Sequence, residues 1–315
     1  MMGWLNSFLG SGKSAAELEQ EAFPAVTGTD KQSFSFVYTH QHWVAGRKVA
    51  HHITGELAVG VQLESPGIQK WSILMNNLQY DWTFDCLPET YLLFSCVKRI
   101  ELYVDEQGKL LDTLYPINQS VYLKEKKRDI KRYITDEKQL KKLNRFFESN
   151  LSNTRFLQQV LPQNPVIRTL ITALLAAGLH NSQPELGQIA EPYHIPGYFG
   201  NAAILPIKAC WLHEPAKNSD ADITWLRIGG ADEQLYKEQN LVAWLSTLND
   251  NFNIGKKLDV DFAEQYRFKP GQKLNVAHLV YAESYLQTII AEGWYKEEEV
   301  IIQANNRKEE IYGQG

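Results

Sequence analysis

Cysteine is scarce: only Cys86, Cys96 and Cys210 occur in 315 residues, far apart and never as C-x-x-C. That excludes a disulfide framework or a cysteine-built zinc site and suits a reducing compartment, so the expected location is cytoplasmic. Long apolar runs are also missing. The longest, residues 166–179, contains Arg168 and Thr169 and falls short of the roughly 20 residues a spanning helix needs, so no transmembrane segment is expected. The first ten residues lack the basic region and apolar stretch of a secretory signal. An excess of positive charge is absent too. The 32 Lys and Arg stand against 37 Asp and Glu, a net charge of -5, which argues against nucleic acid as the main partner.

That average conceals one basic segment. Residues 122–145 hold ten basic and four acidic side chains, a net of +6, leaving -11 for the rest. Within it Lys126, Lys127, Arg128, Lys131 and Arg132, flanked by Tyr122 and Tyr133, form the expected contact for an acidic protein partner, or otherwise a solvated charged face. A second candidate contact is the N-terminal arm. Its Trp4 and Phe8 suit docking on the protein's own fold, on a second copy, on a partner or peripherally on a membrane.

What the sequence has in abundance is strand pattern. Phe34, Phe36 and Tyr38 alternate with Ser35, Val37 and Thr39, and Ala45-Gly46 turns the chain into residues 48–54, a hairpin. Further strands are expected at 71–75, 79–84, 91–104 and 110–123, with Asn76-Asn77 as a turn between two of them. The period then lengthens. Asp136 can cap a helix carrying Leu140, Leu143, Phe147 and Leu151, and a second helix runs from Asn164-Pro165 to Gly178. The second helix is apolar all round, which predicts burial. Pro184, Gly187, Pro192, Pro196, Gly197 and Gly200 break the chain at 181–200. Strands follow at 202–212, 223–228, 257–268, 273–282 and 299–303, with helical stretches at 232–251 and 285–292.

The expected organisation is therefore an arm (1–33), a β-rich lobe (34–135), a helical connector (136–180), a linker (181–200), a second α+β lobe (201–303) and a polar tail (304–315). The fold class is α+β: two mostly antiparallel, β-rich lobes separated by a helical segment.

No motif names a reaction. Gly10-Ser11-Gly12-Lys13-Ser14 ends like a phosphate-binding loop, but Ser7 stands where the first glycine belongs and no strand precedes it. It reads as a Gly/Ser hinge. No G-x-S-x-G elbow occurs, so no catalytic residues are assigned. Asp259 with Asp261, and Asp220 with Asp222, share strand faces, as exposed carboxylates often do.

The most pointed constellation is histidine. His40 and His42 share a strand face, and a two-residue Ala45-Gly46 loop places His51 opposite His40 on that face. A four-residue loop would set His51 opposite His42 on that face instead, and a three-residue loop would bring His52 there. Three neutral imidazoles there make a candidate divalent-metal site, whereas Phe34, Phe36, Tyr38, Val44, Val49 and Ile53 on the same face suit histidines at the rim of a core. No other cofactor is expected.

Three functions fit these residues: a non-catalytic interaction protein (adaptor, immunity-like factor or component of a larger bacterial assembly), a metal-dependent hydrolase using His40, His42 and His51, and a carrier of an apolar ligand in a curved sheet. The sequence argues for the first through its lack of a catalytic set.

Overall fold

A computed structural model describes residues 30–44, 47–82, 99–105, 110–114, 164–178, 193–197, 200–214, 222–232, 258–269, 273–285 and 294–305, together with the helical positions 137, 138, 140, 141 and 145. Among the described residues the named elements are, in chain order, five strands, a helix and six more strands. These are β1 (Asp30–Val44), β2 (Arg47–Ser65), β3 (Ile68–Trp82), β4 (Arg99–Asp105), β5 (Leu110–Leu114), α1 (Pro165–Gly178), β6 (Tyr193–Gly197), β7 (Gly200–Glu214), β8 (Ile223–Ala231), β9 (Leu258–Lys269), β10 (Lys273–Tyr285) and β11 (Trp294–Ala304).

All eleven strands belong to one sheet, in the order β5-β4-β3-β2-β1-β11-β10-β9-β8-β7-β6. Every pairing is antiparallel. The expected α+β fold of two lobes separated by helix is thereby overturned. Each half is a meander of neighbouring strands, as its alternating pattern suggests, but the halves fuse where the first and last strands pair. Phe34 faces Ala304, and the ladder runs on to Trp43 opposite Tyr295. The amide of Asn305 donates to the Ser33 carbonyl at 2.9 Å just beyond it. No local pattern announces a pairing between opposite ends of a chain. The breaker-rich run at 181–200 contributes an edge strand, β6, whose Pro196 suits an edge position.

α1 lies across the seam and packs on β1, β9, β10 and β11. Asn164 caps it, its Oδ1 accepting from the Ile167 amide at 3.1 Å, and Pro165 opens it. Val166, Ile167, Leu170 and Ala173 are buried against the sheet, as an all-round apolar helix requires. Glu137, Lys138, Leu140, Lys141 and Arg145 are helical as expected for the earlier segment.

The face under α1 is the core face. Across the seam it carries Phe34, Phe36, Tyr38, Ile53, Leu57, Leu279, Tyr281, Val300 and Ile302, all essentially inaccessible to solvent. Each such side chain stabilises the fold by about 1.5–3 kcal/mol relative to exposure. The expected break at Asn76-Asn77 is a bulge inside β3. Pairing skips from Thr54↔Gln79 to Glu56↔Asn76, with Asn77 at φ 52°. Opposite it Gly55 leaves room for Phe36, whose ring carbon Cε1 would lie 2.7 Å from any added Cβ.

Candidate functional site

Two places on the sheet gather chemistry, one on each face.

The first is a polar row in the core face. Strand alternation and register bring His51 of β2, His40 of β1, Glu298 of β11 and Tyr281 of β10 into one line, with Tyr38 and Lys296 beside it. The hairpin closes as the two-residue loop predicts, Val44 against Arg47 and His40 against His51. The two imidazoles meet edge to face with centroids 5.7 Å apart. The backbone of His42 lies on the same face, in register with Lys296, and its side chain is outside the described residues.

His40 turns toward the carboxylate. Its Nδ1 stands 3.1 Å from the Tyr38 hydroxyl and 3.5 Å from Glu298 Oε1. Tyr38 donates to that same oxygen at 3.0 Å, and the Lys296 ammonium lies 3.3 Å from it. Burial by itself pushes the Glu298 carboxyl up. The Lys296 ammonium, the His40 contact and the Arg168 guanidinium of α1 outweigh that cost and hold it well below the usual carboxylate range. Lys296 also sits over the Tyr281 ring, 5.5 Å from its centroid. This arrangement ties β1, β10, β11 and α1 together at the seam. Among the described residues no group of three His, Cys, Asp or Glu is placed to hold a metal ion.

Farther along the core face, Arg227 lies between the Trp211 and Phe262 rings, at 5.4 Å and 5.3 Å, and reaches Glu264 at 3.5 Å. Trp211 in turn packs edge to face on Trp225 and against Tyr266. The large aromatics of β7 to β9 thus serve the covered face.

The second place is on the opposite, open face. A groove of about 630 Å³ crosses β7 to β10, lined on this face by Lys208, Cys210, Ile228, Asp261, Ala263 and Val280, with the strand positions Ala209, Gly229 and Phe262 of the core-face row between them. Its floor is one register row, Cys210–Ile228–Ala263–Val280. Ile228 is 41% exposed, and Leu212, two residues along β7 from Cys210, is 38% exposed. On the core side of the same two strands, a Cβ on Gly229 would fall 2.2 Å from the Lys208 carbonyl, so β7 and β8 approach too closely for any other residue there. On the same side of the sheet His278 bonds Glu299 at 2.9 Å on β10 and β11, and on β3 and β4 Lys70 and Arg99 pair with Glu101, where Arg99 and Glu101 are buried.

Sequence reasoning did not find this groove. Its residues come from four strands, and only the register assembles them. Of the proposed carboxylate pairs, Asp261 lines the groove and Asp222 accepts from Asn275 at 2.6 Å, while Asp220 and the Asp259 side chain are outside the described residues. Trp4, Phe8, Lys126, Lys127, Arg128, Lys131, Arg132 and the Gly-Lys-Ser motif also lie outside them. No helix among the described residues is long and apolar enough to cross a membrane.

No protein-family model matches the sequence, and no curated protein matches it. Among solved structures the chain is similar to one of lipovitellin, described by its lipid–protein interactions, with a TM-score of 0.44 and 7% identity. The likeness covers 92% of this chain and 26% of that one, so this chain spans about a quarter of the lipovitellin chain's length.

Proposed function

We propose that this protein binds and carries a small apolar ligand on the open face of its sheet. The observation behind this reading is the groove over β7 to β10: about 630 Å³, floored by Cys210, Ile228, Ala263 and Val280. That volume lies within the roughly 300–1,000 Å³ usual for small-molecule sites, which are concave and mostly apolar. A protein-docking surface draws its energy from exposed Trp, Tyr and Arg anchors. Here Trp225, Phe262, Tyr266 and Arg227 are buried on the other face, which favours a carrier over an adaptor.

The test is titration with N-phenylnaphthylamine, whose fluorescence rises in apolar surroundings. Saturable binding to the wild type, lost in Ala263→Trp at an unchanged melting temperature, supports the groove. Position 263 is exposed, so the indole fills the site without entering the core. Absence of saturable binding, or binding indifferent to this substitution, overturns the reading.

A further inference from the structure

The groove carries two opposite charges as well as an apolar floor, and their placement specifies a ligand class. Lys208 of β7, Gly230 of β8 and Asp261 of β9 stand side by side in register on the open face. Lys208 and Asp261 both line the groove and both are exposed. Their backbones are two strand spacings apart, about 10 Å. Between them is only a glycine. A Cβ at Gly230 would meet the Val260 carbonyl at 3.1 Å, tighter than ordinary contact, so a larger residue there has to displace backbone. Among the described residues neither Lys208 nor Asp261 forms an ion pair. The gap therefore has a cation on one side and an anion on the other.

The apolar row Cys210–Ile228–Ala263–Val280 lies two residues farther along the same strands, about 7 Å from the charged row. Leu212 and Leu226 continue the apolar surface by another two residues along β7 and β8. Charge row, apolar row and apolar extension follow one another in the order of an amphiphile's head and tail.

We infer that the groove takes an amphiphile with a zwitterionic head, its anionic group on Lys208, its cationic group on Asp261, and its tail along β7 and β8. This rests on the carrier reading above and adds the head-group chemistry. A fatty acid would leave Asp261 facing a carboxylate or unused. A cationic detergent would leave Lys208 opposed.

The experiment compares three amphiphiles of one tail by isothermal titration below their micelle concentrations: hexadecylphosphocholine, hexadecyl phosphate and hexadecyltrimethylammonium. The wild type is expected to bind the phosphocholine about fivefold more tightly than either compound whose head carries charge of one sign only, the scale of two solvent-exposed charge contacts. Lys208→Glu is expected to shift the preference to the trimethylammonium compound and Asp261→Lys to the phosphate. The double swap Lys208→Asp with Asp261→Lys restores the phosphocholine preference, which a merely damaged fold does not do. Equal affinity for all three, abolished by Ala263→Trp, overturns the head-group inference and leaves the groove standing. Binding that Ala263→Trp does not alter overturns both.

Discussion

At the scale of single residues, Glu298 is where the seam is most sensitive. Its folded pKa is depressed, so the stability it contributes is complete above the ordinary carboxylate value of 4.5 and disappears as pH falls from there through the lower folded value. Glu298→Gln is expected to cost about 3 kcal/mol at neutral pH, since it takes the one carboxylate charge out of a buried ionic cluster with Lys296 and Arg168. Chemical denaturation of both proteins across pH checks this: the gap holds steady above about pH 5 and narrows on acidification. Asn77 makes a different demand. Its φ of 52° is one that branched residues avoid, and its side chain also donates to Glu56 at 2.7 Å. Asn77→Val should destabilise by about 1–2 kcal/mol, and Asn77→Gly by less, as read from denaturation midpoints. His40 and His42 on one strand face were legible in the sequence, and the two-residue loop, one of three lengths the sequence allows, is what sets His51 opposite His40. Glu298 as the carboxylate beside them was not, since it is 260 residues from Tyr38 along the chain.

At the scale of elements, boundaries were legible wherever capping chemistry sets them. Asn164, Pro165 and Gly178 delimit α1 in the structure as they do in the pattern. Asn164→Ala is expected to lower stability by about 1 kcal/mol through loss of the cap on the Ile167 amide, measurable by denaturant titration. The bulge in β3 was misread as a turn for a physical reason. An asparagine in the left-handed conformation serves both, and only the partner strand, with Gly55 facing it, keeps β3 continuous. The β7–β8 pair depends on its glycine in a stricter way. Gly229→Ala forces a methyl against the Lys208 carbonyl and the Ala209 backbone, so it should cost about 3 kcal/mol, the upper end for overpacking. Loss of thermal stability together with loss of groove binding is the expected readout.

At the scale of the molecule, the joining of first and last strands makes the sheet one cooperative object. Without β11, β1 presents an open edge bearing Phe34, Phe36 and Tyr38; without β1, β11 does the same with Val300 and Ile302. Unpaired apolar edges of this kind associate. Fragments 1–160 and 161–315 expressed singly are therefore expected to aggregate, and co-expressed to recover a soluble complex, with size-exclusion chromatography as the check. The sequence by itself determined that strands dominate, where the middle of most of them lies, where α1 begins and ends, and that His40 and His42 share a strand face, because alternation and caps are local physics. Only the tertiary structure decided that two meanders make a single sheet, that α1 covers their seam, and that Lys208, Gly230 and Asp261 stand abreast beside an apolar groove. Those facts depend on register between strands distant in sequence, where long-range packing selects among pairings that local pattern leaves equivalent.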